Sequence, residues 1–416
     1  MQSEKQNLKT IQLQVRNRKI SDRLTQFRIA RKLHPVTYLR TIMSVADREI
    51  IVKDPSSGEL RNMLMFASNN YLGLANHPHV KDRVRKAIDE FGCGIGGPPL
   101  LNGYIRLIQE AEERLAALKG QQAALLYSSG FMANIGIVGA LAERNDVIIY
   151  DELSHASFYD GTLLTKAKAV MFSHNDMQHL ETLLAYYQAK NTSNILVCAE
   201  GVYSMDGNLG HLDKMAVLCK KYGALFIVDD AHGTGVLGEN GSGTASFLHC
   251  SNDVDINMGT FSKVFATSGG FVAASADMVD YLRFNSRPYI FSASVSPPVA
   301  ATVLGGLDVM EKEPWLRTQL LENVKYAIEK LSGFGFYATP EAAIIALKIP
   351  ELMDMRKASC LFHQKNIFIN PIEYPAVPVE LQRFRISLMS THTKQDIDKL
   401  ANAVEEVWND KNAYSN

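Results

Sequence analysis

Four short loops in this 416-residue chain carry side chains able to act together on one small ligand. Gly259-Thr260-Phe261-Ser262-Lys263 sets an amine among small hydroxyl residues. Burial or nearby cations lower the pKa of such an amine and free its lone pair to form a Schiff base with a carbonyl. Asp229-Asp230-Ala231-His232-Gly233 follows the apolar run Ala224–Val228. A carboxylate there would keep a heteroaromatic nitrogen protonated, because an opposite charge favours the cationic form. Tyr127-Ser128-Ser129-Gly130-Phe131-Met132-Ala133-Asn134 leads from a strand into an apolar helix. Free N–H groups and the helix dipole at such a start suit a phosphate. Asp151-Glu152-Leu153-Ser154-His155-Ala156-Ser157 follows Val147–Tyr150 and supplies an imidazole.

Each loop alone says little. Half of such strand-to-helix turns are mere connections, a lone histidine is more often structural, and a lone lysine is nearly always a solvated charge. Metal binding competes for Asp229 and His232, but no further ligand spacing supports it. An ATPase reading of the Asp-Asp-Ala-His string lacks the G-x-x-x-x-G-K-[ST] loop it needs. Together the four loops offer a phosphate cradle, a stacking imidazole, an acid for a pyridine nitrogen and a Schiff-base lysine. Pyridoxal phosphate calls for all four.

Two glycine-rich strings point elsewhere and are set aside. Gly233-Thr234-Gly235-Val236-Leu237-Gly238 matches G-x-G-x-x-G, but the following Glu239-Asn240-Gly241-Ser242-Gly243 is a poor helix start for holding a pyrophosphate. Gly92-Cys93-Gly94-Ile95-Gly96-Gly97 follows a helix, the wrong order for a nucleotide loop. It reads as a tight turn beside a ligand or a neighbouring chain.

The elements that must position these loops are legible as apolar runs. Ala123–Tyr127, Val147–Tyr150, Ala169–Phe172, Asn194–Ala199, Ala224–Asp229, Ile256–Met258 and Gly270–Ala274 show little polar alternation. Helical stretches such as Met132–Ala142, Met177–Tyr187 and Leu212–Tyr222 lie between most of them. This predicts an α/β fold: a mainly parallel sheet with helices on both faces, whose carboxyl edge is the ligand edge. The texture changes at Pro297-Pro298, where one long helical region, Val299–Leu331, precedes fewer strands and a last helix over Lys394–Trp408. The predicted division is an N-terminal helical arm over 1–61, a large catalytic domain over 62–296 and a smaller α+β domain over 297–416. In the arm, Ile20, Leu24 and Phe27 fall at helical spacing. That stripe suits a helix docked on the body or on a partner subunit, with anionic-ligand binding by its arginines as the other reading.

Composition excludes several classes. Apolar residues make up 46% of the chain, enough for a covered sheet. A net charge of −1 gives no global field for nucleic acid or an anionic membrane. Residues 1–40 are the local exception, with ten Lys/Arg against Glu4 and Asp22. Five scattered cysteines without a C-x-x-C pair read as reduced thiols, not a disulfide framework or a zinc site, so no metal is expected. The polar start has no secretion signal and no apolar run is long enough to span a bilayer, so a cytoplasmic location is expected.

The strings Ala-Ser-Asn-Asn-Tyr-Leu-Gly-Leu (67–74), Glu-Gly-Val-Tyr-Ser-Met-Asp-Gly (200–207), Asp-Asp-Ala-His-Gly-Thr-Gly-Val-Leu-Gly (229–238) and Thr-Phe-Ser-Lys (260–263) resemble the α-oxoamine synthases. These are fold-type I pyridoxal-phosphate transferases that join a small amino acid to an acyl thioester, usually with loss of CO₂. The resemblance implies that Lys263 holds the cofactor, Asp229 pairs with its ring nitrogen and His155 stacks on its face. His232 and Ser204 would lie near the phenolic oxygen. Ser129, Thr260 and the amides of Gly130 and Phe131 would hold the phosphate, with Ser292 reaching across from a second subunit of a homodimer. Arg385, assisted by Asn69, would bind the substrate carboxylate. Pro99 stands where many relatives have an arginine and Ile108 where several have a histidine, which bears on the substrate pocket. Segments 290–294 and 388–393 are similar to bacterial serine palmitoyltransferase-like members, which implies a long-chain acyl donor with serine or a relative such as cysteate. The alternatives are 8-amino-7-oxononanoate synthase or glycine C-acetyltransferase activity, a fold-type I aminotransferase or lyase, and a non-enzymatic subunit.

Overall fold

The computed structural model describes residues 22, 24–25, 38–55, 57–190, 192–374 and 376–414. The helix expected over Ile20–Leu33 lies almost wholly outside them. The chain forms two compact units, Ser68–Ala346 with Ser387–Lys394, and a second built from the chain up to Ala67, Leu347–Ile386 and the stretch from Gln395 onward.

In the second unit β1 (Thr41–Ile42), β2 (Glu49–Lys53) and β3 (Leu60–Met65) make an antiparallel ribbon, with Ile50 opposite Met63. Ile367–Phe368 then adds to β3 in parallel. The segment expected as a helical arm therefore contributes strands from Thr41 onward. Glu49-Ile50-Ile51-Val52-Lys53 carries the signal: Ile50 and Val52 are buried while Glu49 and Lys53 are exposed, the period of a half-covered strand. Phe362, Phe384 and Trp408 form an aromatic cluster in this unit, with ring centroids 5.0–6.0 Å apart.

The larger unit is built on seven strands: β4 (Ala123–Tyr127), β5 (Val147–Asp151), β6 (Lys168–Phe172), β7 (Ile195–Glu200), β8 (Leu225–Asp229), β9 (Ile256–Thr260) and β10 (Gly270–Ala274). Their order is β4-β10-β9-β8-β7-β5-β6, parallel except for β10. Every residue of β5, β7, β9 and β10 is buried. This is why these runs lack polar alternation: both faces are covered. Tyr127, Ile137 and Phe158 pack on one side, while Leu180, Leu184, Met215 and Phe226 pack on the other.

The antiparallel β10 follows from chain length. Residues 261–269 join β9 to β10, too few for the dozen or more that a parallel crossover requires. The chain must reverse at the carboxyl edge of the sheet, and Lys263 sits in that reversal.

Pro297-Pro298 marks a helix start and not a unit boundary. Prolines are tolerated in a first turn, where the missing N–H has no intrahelical acceptor, and the helix Pro297–Lys312 begins there within the larger unit. Its Asp308 takes Arg83 at 2.7 Å and Arg114 at 2.6 Å, tying it to the helices Pro78–Phe91 and Arg106–Lys119. The expected single helical region is two helices, Pro297–Lys312 and Trp315–Leu331, because Pro314 cannot donate within a continuous helix. No described helix is long and apolar enough to cross a membrane.

Beneath the ligand edge lies a buried ion pair. Lys119 Nζ donates to Asp230 Oδ2 at 2.6 Å and to the Ser242 carbonyl at 2.8 Å, with both charged side chains 2% exposed. Asp230 also accepts from the Thr244 hydroxyl at 2.7 Å and the Thr244 amide at 3.2 Å. Removing one member strands the other charge, so Lys119→Met is expected to cost about 3–5 kcal/mol in urea unfolding. A loss below about 1 kcal/mol would contradict this account of the clamp.

Candidate active site

The carboxyl edge of the large sheet gathers most of the residues singled out by the sequence. Asp229 ends β8 and Thr260 ends β9, and these strands are neighbours, with Asp229 opposite Met258. Ser129 caps the helix Gly130–Leu141 that follows β4, its Oγ accepting from the Met132 amide at 3.1 Å. His155 caps the helix Ala156–Leu163 after β5, and Ser204 lies in the loop after β7. His232 and Lys263 are each three residues beyond a strand end.

Asp229 is fully enclosed. Its Oδ2 accepts from Asn134 Nδ2 at 2.7 Å and its Oδ1 from the Ala231 amide at 3.0 Å. Burial pushes its pKa up, while the Asn134 hydrogen bond and the charges of His155 and Lys263 pull it back. Asn134 also donates to Ser157 Oγ at 2.9 Å, and that oxygen is 2.8 Å from His155 Nδ1. One chain of contacts thus fixes both the acid and the imidazole. His155 Nδ1 is occupied from its own helix, with the Ser157 amide at 3.3 Å, and the residue is solvent-exposed. Phe131 meets it edge-on at 6.1 Å between centroids.

On the other side, Tyr71 Oη stands 2.6 Å from His232 Nδ1 and 3.3 Å from Asn69 Oδ1. Ser387 Oγ donates to the same Asn69 oxygen at 3.2 Å. Tyr71 and His232 are both buried. The sequence singled out Asn69 and His232 but not the phenol that joins them.

The floor of the cradle is backbone. A Cβ on Gly130 would lie 2.9 Å from Thr260 Cβ and Oγ1, and one on Gly270 would lie 2.6 Å from the Gly130 nitrogen. The start of the helix is therefore pressed onto β9 and β10 at a distance only glycines allow. Thr260 Oγ1 is 2.9 Å from Ser262 Oγ and donates to the Gly269 carbonyl at 3.1 Å. The Gly130 and Phe131 amides precede the first intrahelical bond, Ala133 N–H to the Ser129 carbonyl, and are unpaired donors of an N-terminus.

Two expected residues belong to other elements. Ser292 lies between the helices Arg287–Ile290 and Pro297–Lys312, beside the exposed Phe291. Arg385 belongs to the second unit, buried on the strand Arg383–Ser387 opposite Asn370. Sequence reading missed Asn134, Ser157, Tyr71 and Glu200. Asn134 had a usable signal, as the lone side-chain amide in the apolar stretch Gly130–Leu141.

Residues 61–404 match the aminotransferase class I and II family. The chain belongs to that family. Serine palmitoyltransferase from Sphingobacterium spiritivorum is 37% identical over 395 residues, covering 94% of this chain and 97% of the relative. An 8-amino-7-oxononanoate synthase from Geotalea daltonii is 41% identical over 350 residues, covering 83% and 89%. The solved Sphingomonas wittichii serine palmitoyltransferase aligns with a TM-score of 0.85 at 32% identity, over 93% of this chain and 96% of that one. Within the family the chain is an α-oxoamine synthase, a pyridoxal-phosphate-dependent acyltransferase with the fold-type I architecture. The edge described above fits that cofactor: a glycine-floored anion cradle, an enclosed acid and an amine on adjacent strands.

Because burial raises the folded-state pKa of Asp229, its ionised form destabilises the cofactor-free protein at neutral pH. Asp229→Asn is therefore expected to unfold at a higher temperature than wild type when both lack cofactor. The gap should close as pH falls through the raised pKa, and vanish below the unfolded value of about 3.9. A variant less stable than wild type at pH 7 would contradict this electrostatic reading.

Proposed function

We propose that this enzyme condenses serine, or a small amino acid closely like it, with a long-chain acyl thioester and releases the carboxyl group as CO₂. The observation that carries the reading is the pairing of Asp229 and Lys263 at adjacent strand ends, in a chain similar to serine palmitoyltransferases over nearly its whole length. When bound, pyridoxal phosphate supplies an aldehyde that captures primary amines and a protonated ring that accepts an electron pair from the attached carbon.

The roles of the residues follow from their chemistry. Lys263 would hold the cofactor's aldehyde through its Nζ, and its free amine would serve as general base for the Cα proton. Asp229 keeps the proton on the ring nitrogen. His155, with its Nδ1 tied to Ser157, offers a face to the ring. His232, steadied by Tyr71, and Ser204 serve the phenolic oxygen. Ser129, Thr260 and the Gly130 and Phe131 amides hold the phosphate at the helix N-terminus. Arg385 and Asn69 would bind the substrate carboxylate and so orient the bonds at Cα. Ser292 completes the phosphate site from the partner of a homodimer, and the enzyme works in the cytoplasm. Pro99 and Ile108, where many relatives have an arginine and several a histidine, bear on the shape of the thioester or amino-acid pocket.

Borohydride reduction of the cofactor-loaded protein should attach the cofactor to the peptide containing Lys263, and Lys263→Ala should lose both the label and about a thousandfold in kcat. Label on another lysine would remove Lys263 from this role. Thiol release should be fastest with serine and long-chain acyl-CoA. Preference for a short-chain or dicarboxylic donor would move the assignment to 8-amino-7-oxononanoate synthase or glycine C-acetyltransferase chemistry. Arg385→Ala should raise KM for the amino acid roughly 10–100-fold with a smaller change in KM for the thioester.

A further inference from the structure

Three acids end three adjacent strands of the large sheet. Asp151 closes β5, Glu200 closes β7 and Asp229 closes β8, with Glu200 in register with Asp229 and 0–4% of each residue exposed. The outer two have donors of their own. Asp151 is met by His174 Nδ1 at 3.0 Å and by the amides of Leu153 and Asn175 at 2.9 and 3.0 Å. Asp229 has Asn134, the Ala231 amide, and the positive charges of His155 and Lys263.

The middle acid is poorer in positive neighbours. Glu200 Oε1 is buried with no hydrogen-bond partner among the described residues, and no cationic side chain is among the groups that act on it most strongly. What faces it is acidic on both sides, Asp229 from β8 and Asp151 from β5, and the buried phenol of Tyr203 on its own loop. The backbone N–H groups of His155 and Ser204 favour its charge. Two neighbouring carboxylates in a dry site do not both ionise, and the one farther from positive charge keeps the proton.

We propose that this row stores one proton on Glu200, so that Asp229 alone faces the ring site as the anion. Glu200 is then a positioning residue that never touches the reacting atoms. A neutral carboxyl between Asp151 and Asp229 lets Asp229 stay ionised against the ring nitrogen; an ionised Glu200 would drive the proton onto Asp229 and empty that interaction. Burial and the two flanking acids push the Glu200 pKa well up, in the same direction. The consequence for catalysis rests on the role proposed above for Asp229, but the position of the proton does not.

The test is infrared difference spectroscopy on cofactor-free full-length protein, wild type minus Glu200→Gln. The expected result at pH 7 is the carbonyl stretch of a protonated carboxylic acid. It should move on carboxyl-¹³C glutamate labelling and persist well above the ordinary glutamate range. If Glu200→Gln folds poorly, Glu200→Met serves as the second reference. A difference spectrum holding only ionised-carboxylate bands at pH 7 overturns the proposal. Glu200→Gln mimics the protonated acid and should keep the cofactor dissociation constant within about threefold, together with the pH dependence of cofactor absorbance. A shifted absorbance profile also overturns it. The infrared band is read without cofactor, so its absence defeats this inference while borohydride trapping at Lys263 still decides the function.

Discussion

A carboxylate buried at the end of a parallel strand is costly unless something positive or hydrogen-bonding completes it, and Asp229 is held in that condition. Asn134 and the Ala231 amide satisfy part of the group, yet burial still raises its pKa. The cost is a standing attraction for a cation at one spot on the sheet edge. A protonated pyridine ring would answer it. Much of the surrounding structure exists to keep that spot dry, aligned and correctly charged.

Alignment comes from topology. Five parallel strands of the large sheet end on loops that carry the cluster, and the short return from β9 to β10 forces the chain to double back where Lys263 lies. Distance is thereby fixed by strand spacing and not by flexible loops. Fine adjustment comes from side chains outside the chemistry: Asn134 couples Asp229 to His155 through Ser157, Tyr71 couples His232 to Asn69, and the Lys119–Asp230 pair pins the loop after β8. These are neighbours in space with no periodic relation in sequence, so motif reading finds the candidate groups and misses the side chains that fix them.

The large sheet was legible because fully covered strands leave an unbroken apolar signature, as in Val147–Tyr150 and Ala224–Asp229. The direction of β10 was not, since an apolar run carries no orientation; only the length of the 261–269 connection does. The strands from Thr41 to Lys53 escaped notice because β1 is two residues long and the alternation of β2 spans only five. The change at Pro297-Pro298 looked like a domain boundary, but proline at a helix start is a local signal, and Asp308 binds that helix to the large unit. Lys263, Asp229, His155 and His232 were singled out from their company, and all four fall at or just beyond strand ends of the large sheet. Glu200 stood in a quoted motif without a role, because its significance lies in acids on the two flanking strands.

The most direct measurement is the nitrogen chemical shift of ring-¹⁵N pyridoxal phosphate bound to the enzyme. A ring nitrogen protonated at neutral pH in wild type, and unprotonated in Asp229→Asn, is the expected result. An unprotonated ring nitrogen in the wild-type enzyme would contradict the account at its centre.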